Sequence, residues 1–445
     1  MDTAAIRFGT DGWRALVAED FTFDNVRACA QGVASYHLDG GLAERPVVVG
    51  YDTRFASEEF AAAVAEVLAG NGLPVILCSR AAPTPVVSWN IIQHRAAGGV
   101  MITASHNPAL WNGVKYRTHY GGSAAPELLQ AIEDRVARLR HPGEVQRMPL
   151  TEARERGLVR DVDPAESYLE HLRRTVDLAA LKDAGLTVVV DAMHGAGAGY
   201  LRGLLEGGRT QLTELRGERN PAFPGMHNPE PIARNLDLLA QTVVSTGAHG
   251  GLALDGDADR LGVVDERGEY VSALHVYALL AYYLLEVRGQ RGPIVKSVTV
   301  GNMPWGLGER FGVPVHETGV GFKHIAPLMV EQDALLGGEE SGGYAFRGHL
   351  PERDGVFSGL LMLDLMARTG KRPSELIEEL HRIVGPHHYD RIDVPFDAAR
   401  RAEVEARVAA AQPAEIGGLP VTGRDTLDGA RFHLEGGAWA LVRFS

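Results

Sequence analysis

Hydrophobic residues along the chain form short continuous runs, which alternate with longer segments of helical periodicity. The runs Val47–Gly50, Thr187–Val190 and Ile294–Val300 predict buried strands, because parallel strands covered on both faces are apolar throughout. Glu58–Ala69 and Ala273–Leu285 are rich in small and aliphatic residues and predict helices. This alternation of strand and helix signals predicts α/β domains.

A weak internal repetition divides most of the chain into three similar units. In each unit an opening strand, a helix and a second strand lead into a polar loop flanked by glycine. The second strands with their loops are GGVMITASHNP (Gly98–Pro108), GGLALDGDADR (Gly250–Arg260) and ALLGGEESGGY (Ala334–Tyr344). Because ligands of open α/β sheets bind beyond the carboxyl ends of the strands, we expect the three loops to face one shared cleft.

The remaining segments differ from this repeat. His141–Pro164 and His381–Val394 are rich in polar residues, Pro and His, and we interpret both as connections. Pro395–Ser445 predicts a smaller α+β unit, since Ala398–Ala411 has a helical pattern and Phe432–Phe444 alternates like a strand.

The composition narrows the class of protein. A length of 445 residues is enough for about two to four domains, and 44 basic against 57 acidic residues give a net charge of −13, which opposes a broad nucleic-acid surface. The longest apolar run, around Tyr277–Leu285, is shorter than the roughly 18 residues that span a bilayer, and no signal peptide is visible. Cys29 and Cys78 are too few for a disulfide scaffold or a four-cysteine zinc site. We therefore expect a cytoplasmic enzyme, whose 53 glycines are still unexplained.

The first polar loop places Ser105 beside His106 at the end of a predicted strand. A serine hydroxyl in that position can act as a nucleophile or carry a phosphoryl group, although a simple polar turn would use the same residues. The G-x-S-x-G pattern of many hydrolases is absent. Lys115 follows a tight turn, where it would either reach an anion or lie solvated at the surface.

The second loop carries the strongest local signal, with Asp255, Asp257 and Asp259 at alternate positions. Their mutual repulsion favours a hard cation such as Mg²⁺, with room left for a phosphate oxygen; solvated turn acids are the alternative. An EF-hand would also use these aspartates together with Glu266. However, Arg260 stands where that loop requires glycine, and the flanks predict strands rather than helices.

Four further segments have weaker signals. The GEESGG loop, Gly338–Gly343, combines acceptors with glycine and suits sugar hydroxyls or an ordinary turn. Arg14 and Lys323 each follow a glycine-containing segment and suit a phosphate group or a solvated surface. His194–Gly199 is similar to a dinucleotide-binding loop, but its third glycine comes one residue early, so a tight strand-to-helix turn is the better interpretation.

Taken in series, FGTDGWR, TASHNP, DGDADR and GEESGG resemble the α-D-phosphohexomutase family, the phosphoglucomutases and phosphomannomutases. The resemblance implies an α/β fold with three similar mixed α/β domains and a smaller C-terminal α+β domain around a central cleft. It places a phosphoserine loop in residues 1–160, a metal loop in 161–265, a sugar loop in 266–385 and a phosphate loop in 386–445.

The resemblance also implies an activity. Such an isomerase interconverts hexose 1-phosphate and hexose 6-phosphate through a phosphoserine and a hexose 1,6-bisphosphate, with Mg²⁺. GEESGG favours glucose or mannose phosphates, since phosphoglucosamine mutases usually have Gln at the position of Glu340. Some dual-specificity members have His at the position of Gly343. The alternatives are a non-catalytic protein that binds sugar phosphates or Ca²⁺, and a phosphatase acting through the serine.

Site roles follow from the resemblance position by position. Ser105 is the implied phosphoserine, and it completes a metal site of Asp255, Asp257 and Asp259. The implied phosphoryl-neutralising groups are Arg14, His106, Lys115 and Arg260, with Lys115 also a candidate for proton transfer. The implied sugar contacts are Glu339, Ser341 and Lys323.

One departure from the family concerns the C-terminus. The family's R-x-S-G-T-E-P phosphate loop is matched only by Arg443-Phe444-Ser445. We therefore expect Arg443 and Ser445 to be the remaining phosphate contacts of a truncated loop, with impaired turnover but intact phosphoserine formation and metal binding.

Overall fold

The computed structural model describes residues 6–9 and 11–444, apart from the side chain of residue 398, and contains four β-sheets. The predicted fold class is confirmed: three mixed α/β units precede a smaller antiparallel unit. Ser445 lies outside the described residues. Within the described ranges, no helix combines the length and the apolar character that a membrane crossing needs.

The first sheet has six strands in the order β1-β5-β4-β2-β3-β6. Its central strands are parallel, whereas β5 returns antiparallel to β4 and pairs with β1. The strands are β1 (Trp13–Leu16), β2 (Val47–Tyr51), β3 (Val75–Cys78), β4 (Gly98–Ile102), β5 (Trp111–Thr118) and β6 (Val159–Val162). The helices are α1 (Phe23–Asp39), α2 (Ser57–Gly70), α3 (Thr84–Gln93), α4 (Pro126–Arg138) and α5 (Leu150–Glu155).

The second sheet has five strands in the order β11-β10-β9-β7-β8, with β10 antiparallel to β9. The strands are β7 (Thr187–Asp191), β8 (Gln211–Leu215), β9 (Gly250–Leu254), β10 (Leu261–Val264) and β11 (Tyr270–Val271). The helices are α6 (Ala165–Thr175), α7 (Leu178–Asp183), α8 (Tyr200–Leu205) and α9 (Asp237–Thr246).

The third sheet has four strands in the order β13-β12-β14-β15, with β15 antiparallel to β14. The strands are β12 (Ile294–Ser297), β13 (Val315–Thr318), β14 (Leu336–Gly338) and β15 (Tyr344–Phe346). The helices are α10 (Ala273–Tyr282), α11 (Met303–Phe311), α12 (Phe322–Glu331), α13 (Gly355–Thr369) and α14 (Pro373–Val384).

The last sheet is antiparallel throughout and follows one helix of the same unit. Its elements are α15 (Arg401–Ala410), β16 (Glu415–Ile416), β17 (Leu419–Asp425), β18 (Ala430–Leu434) and β19 (Trp439–Val442). Its core is a small separate cluster that includes Ala430, Phe432 and Leu434. By contrast, one continuous apolar cluster joins the first three units, with members such as Val48, Val190 and Leu280.

Several predicted elements need correction. The strand predicted over Ile294–Val300 ends at Ser297 and continues as a 3₁₀ turn. The helix over Ala273–Leu285 is regular to Tyr282 and then widens into a π-helical turn. The strand predicted over Phe432–Phe444 is a hairpin of β18 and β19, because Gly436 turns the chain with a φ of 77°.

The segments interpreted as connections differ from each other. Residues 141–164 contain α5 and β6, and β6 pairs in parallel with β3 as the edge strand of the first sheet. The second segment begins in α14, and residues 385–394 beyond it have no regular structure. The predicted boundary between residues 160 and 161 falls inside β6, and that between 265 and 266 falls between the paired strands β10 and β11.

The repeat fixes where the polar loops lie. In each of the three α/β units a strand, β4, β9 or β14, is followed by an antiparallel partner, and the polar loop joins the two. The three loops therefore leave equivalent edges of equivalent sheets, which is the arrangement expected for one shared cleft.

Candidate active site

The first and second polar loops meet at Ser105. Its Oγ donates a hydrogen bond to Oδ2 of Asp255 at 2.7 Å and lies 3.3 Å from Nδ1 of His106. The serine is buried and has a positive φ of 51°, an uncommon conformation for a residue with a side chain. Its amide donates to Thr103 Oγ1 at 2.8 Å, which fixes the turn locally.

Glycine at position 256 allows this close approach. A Cβ built at Gly256 would lie 2.4 Å from the carbonyl oxygen of Ser105, so a larger residue would push the two loops apart. Gly195 meets the same loop from the other side, where a Cβ would lie 2.8 Å from the carbonyl oxygen of Gly256. The His194–Gly199 segment is thus a tight turn packed against the aspartate loop, which accounts for its glycines without a bound dinucleotide.

The three aspartates converge. Asp255, Asp257 and Asp259 are fully buried, and one oxygen from each lies within 4.8 Å of the others. Oδ1 of Asp257 and Oδ1 of Asp259 are buried without a hydrogen-bond partner in the described residues. Buried carboxylate oxygens left unpaired in this way fit a hard cation such as Mg²⁺. The flanking β9 and β10 exclude an EF-hand, which requires helices.

Electrostatics separate the three carboxyl groups. Burial, together with the charges of Asp259 and Asp257, raises the pKa of Asp255 well above its usual range. Burial alone would raise the pKa of Asp257 too, but the ammonium group of Lys115 lowers it below the usual value. The cluster therefore contains two carboxyl groups whose preferences for a proton are opposite.

Lys115 is a buried residue of the aspartate cluster and not a solvated surface lysine. Its Nζ lies 2.8 Å from Asp257 Oδ2, 3.0 Å from Asp259 Oδ2 and 2.9 Å from Asp11 Oδ2. Burial disfavours its charge, but Asp11, Asp257 and Asp259 together raise its pKa above the ordinary lysine value. Its charge therefore offsets the negative charge of Asp257 and Asp259.

Arg14 and Arg260 flank the Ser105 loop from other elements, whereas His106 follows the serine within that loop. Arg14 on β1 donates to Asn107 Oδ1 at 2.7 Å, and Arg260 donates to Glu230 Oε1 at 3.3 Å. Burial, assisted by the charges of Arg260 and Arg14, holds the pKa of His106 well below its ordinary value. The positive charges beside Ser105 are therefore the guanidinium groups rather than the imidazole.

The third loop is tied to the aspartate cluster by Arg353. Glu339 Oε1 accepts hydrogen bonds from Ser341 Oγ at 2.8 Å and from Arg353 Nη1 at 2.9 Å. Nη2 of Arg353 also lies 2.8 Å from Asp259 Oδ2 and contacts Asp11. The sequence predicts Glu339 and Ser341 as sugar contacts. Arg353 connects them to the aspartate cluster, because it contacts both Glu339 and Asp259.

Lys323 and Arg443 lie where the fourth unit meets the third. Lys323 is the second residue of α12, just after the loop whose Val320 amide donates to Asp428 Oδ2 at 2.7 Å. The other oxygen of Asp428 accepts from Arg443 Nε at 3.1 Å. Asp428 therefore connects Arg443 to the loop that precedes Lys323.

Asp11, Glu230 and Arg353 are the site residues that sequence reasoning did not assign. Asp11 belongs to the FGTDGWR motif and holds Lys115 and Arg117. Glu230 and Arg353 stand outside the four motifs, so only the folded arrangement brings them to Arg260 and Glu339.

A buried serine, three convergent carboxylates and surrounding cations at the ends of repeated sheets define a multidomain α/β enzyme. Comparison with known proteins identifies its family. Three family models of phosphoglucomutase/phosphomannomutase α/β/α domains match, domain I over residues 5–142, domain II over 166–268 and domain III over 274–383.

Individual relatives agree. The chain is 32% identical to a phosphoglucomutase/phosphomannomutase of Thermococcus kodakarensis, over 98% of this chain and 91% of that protein. It is 35% identical to a phosphoglucosamine mutase of Clavibacter sepedonicus, over 92% and 89%. The crystal structure of a putative phosphomannomutase from Thermus thermophilus superposes with a TM-score of 0.87 at 38% identity, covering 99% and 93%. The chain belongs to the phosphoglucomutase/phosphomannomutase family, and its relatives are mutases.

Proposed function

We propose that this protein is a phosphohexomutase that interconverts hexose 1-phosphate and hexose 6-phosphate through a phosphoserine at Ser105. The observation that carries the proposal is the contact of the Ser105 hydroxyl with Asp255 at 2.7 Å, at the edge of a buried cluster of three aspartates. Family membership supports the reaction class.

The reaction balances as two transfers. Phosphoserine passes its phosphoryl group to the free hydroxyl of a hexose monophosphate, which gives a bound hexose 1,6-bisphosphate and the free serine hydroxyl. The bisphosphate reorients in the cleft so that its other phosphoryl group faces Ser105. Ser105 takes that group, and the isomeric monophosphate leaves. Water would compete as an acceptor, and burial of Ser105 excludes it.

Residues at different positions in the site have different roles in this reaction. Arg14 and Arg260 supply fixed positive charge beside Ser105, and Lys115 keeps the aspartate cluster compact. When bound by Asp255, Asp257 and Asp259, Mg²⁺ would offset the negative charge of the phosphoryl oxygens. Glu339 and Ser341 present acceptors for sugar hydroxyls, and Lys323 with Arg443 suits the phosphate that does not react.

Two observations bear on the identity of the sugar. The GEESGG loop favours glucose or mannose phosphates, whereas several relatives are named phosphoglucosamine mutases. Glu340 in this loop is partly buried and contacts Thr299, and its pKa is raised by desolvation and by Glu339. A sugar amino group near a carboxyl group would be favourable, so glucosamine phosphate belongs among the substrates to be tested.

The test compares three substrates in one assay. The full chain is primed with the matching hexose 1,6-bisphosphate and Mg²⁺ and is then given glucose, mannose or glucosamine 1-phosphate. We expect formation of the 6-phosphate of at least one sugar, and its loss in Ser105→Ala. Release of free phosphate faster than isomerisation would instead indicate a phosphatase, and no turnover of any sugar would contradict the proposal.

A further inference from the structure

A buried arginine lies behind the Ser105 loop and has no part in the site described above. Arg54 follows β2, and its side chain is fully buried. Its Nε lies 3.3 Å from Oδ2 of Asp52, which is buried as well. A buried cation is costly unless it is paired and hydrogen-bonded, so the partners of this guanidinium group indicate why it is there.

Four of those partners are backbone carbonyl oxygens of one loop. Nη2 donates to the carbonyls of Ser105 and Asn107, both at 2.6 Å. Nη1 donates to the carbonyls of Pro108 and Trp111, both at 3.0 Å. The loop thus turns four carbonyl groups towards a single planar group, while Ser105 itself adopts its positive φ.

Arg54, through its backbone and its guanidinium group, is itself held from two domains. Asp52 Oδ1 accepts hydrogen bonds from the Arg54 amide and from Ser57 Oγ, at 2.9 and 2.8 Å. From the second domain, the ring of Phe223 lies 5.0 Å from the guanidinium carbon, and Arg219 donates to the carbonyl of Arg54 at 3.2 Å. Contacts from both domains therefore hold Arg54 in place behind the Ser105 loop.

We infer that Arg54 is a positioning residue for phosphoryl transfer: it holds the carbonyls of the Ser105 loop so that Oγ faces Asp255. The inference rests on the proposed function, in which Ser105 is the group that exchanges phosphate. Lysine cannot replace arginine here, because a single ammonium group cannot satisfy four carbonyls in the fork geometry of a guanidinium.

The test uses Arg54→Lys and Arg54→Met in the full chain. Arg45→Met is the matched control, because Arg45 also caps loop carbonyls of the first domain, those of Arg95 and Ala96, at 3.1 and 2.7 Å. We expect both Arg54 variants to lose about 100-fold in kcat with KM nearly unchanged, as misplacement of a reacting group predicts. Single-turnover phosphorylation of Ser105 by hexose 1,6-bisphosphate, followed by intact mass, should slow in parallel. Millimolar guanidinium should restore part of the rate of Arg54→Met, and Arg45→Met should remain close to wild type.

The outcomes separate this inference from the proposed function. A folded Arg54→Lys or Arg54→Met with wild-type kcat, or with a raised KM alone, would overturn the positioning role. If Arg54→Met does not fold, Arg54→Lys decides by the same criteria. A wild-type chain that never gains a phosphoryl group on Ser105 would instead contradict the proposed function itself.

Discussion

Lys115 and the divalent cation proposed for the aspartate cluster would neutralise the same two carboxylates, Asp257 and Asp259, through different oxygens. Asp257 Oδ2 and Asp259 Oδ2 already accept the ammonium group at 2.8 and 3.0 Å. The lysine is therefore a counter-charge for two of the three cluster carboxylates, Asp257 and Asp259, whether or not a metal is bound.

Replacement of Lys115 by Met should make the protein dependent on metal for stability. Without Mg²⁺ we expect a loss of about 3–5 kcal/mol in the free energy of unfolding, because buried carboxylates lose their partner. Saturating Mg²⁺ should then raise Tm more in the variant than in the wild type. The measurement is thermal unfolding with and without Mg²⁺, with the more exposed Lys182→Met as the control. An equal Mg²⁺ response in all three proteins would contradict the idea that lysine and metal neutralise the same carboxylates.

His37 should make stability sensitive to acid. It is buried in α1, its Nε2 lies 2.9 Å from the Tyr116 hydroxyl, and burial lowers its pKa to about 4. Below an unfolded pKa of about 6.5, the unfolded chain takes up a proton that the folded chain refuses, so stability falls as the pH falls towards 4. From pH 7 to pH 5 this histidine should cost about 2 kcal/mol.

Urea unfolding at the two pH values measures this cost. His37→Gln should lose less stability between pH 7 and pH 5 than the wild type does. His119→Gln, which alters an exposed histidine of the same domain, should match the wild type. If His37→Gln and the wild type lose equal amounts, the acid sensitivity has another source.

At the scale of elements, the Ser105 loop and the β9–β10 loop lie close together because residue 256 is glycine and has no Cβ. Gly256→Ala would place a Cβ 2.4 Å from the Ser105 carbonyl oxygen and should force the β9–β10 loop away from the serine. We expect at least a 100-fold loss of mutase activity with the far-ultraviolet circular dichroism unchanged. Gly203→Ala in α8, where a Cβ meets nothing within 4 Å, should leave activity intact. Full activity in Gly256→Ala would show that the loops need not touch.

The elements also show how far the sequence leads. Val47–Gly50 and Thr187–Val190 are confirmed as strands because burial on both faces leaves a continuous apolar signal. β6 gives no such signal because its exposed Arg160 and Asp161 interrupt the apolar run, which is usual for an edge strand. The hairpin within residues 432–444 does have a sequence signal, the adjacent Gly436 and Gly437 of its turn, which the prediction of one alternating strand passed over.

In the candidate site, too, the sequence indicates only the residues that leave a local signal. Glycine-flanked motifs identify Ser105, the three aspartates and Glu339, since close backbone approach leaves glycine in the sequence. Arg54 and Arg353 have no such signal. Their partners lie about fifty residues away for Arg54 and up to 342 residues away for Arg353, so only the packing of domains reveals them.

At the scale of the whole molecule, the fourth domain is attached by polar contacts. Glu317 of the third domain accepts hydrogen bonds from Arg431 at 2.9 and 2.5 Å and contacts Lys296. Asn302 donates to the carbonyl of Gly437 at 2.7 Å. Polar contacts are replaced by contacts with water more readily than an apolar interface is opened. We therefore expect the fourth domain to move relative to the other three.

Glu317→Gln should loosen that attachment. With one contact weakened by about 1 kcal/mol, we expect trypsin to cleave the irregular segment at Arg391 about fivefold faster. Glu309→Gln, an exposed change on α11, is the control. Identical cleavage rates in the variant, the control and the wild type would show that Glu317 does not hold the fourth domain.

The apolar cluster that runs through the first three domains has a further consequence. Since Val48, Val190 and Leu280 belong to one cluster, loss of packing in one of the three sheets would expose apolar surface of the other two. Heating should therefore release them in a single cooperative calorimetric transition, separate from that of the fourth domain and its small core. The cleft should then be as rigid as the three packed domains that form it. Amide protons of the Ser105 loop should exchange as slowly as those of the central strands, although the loop itself has no regular structure.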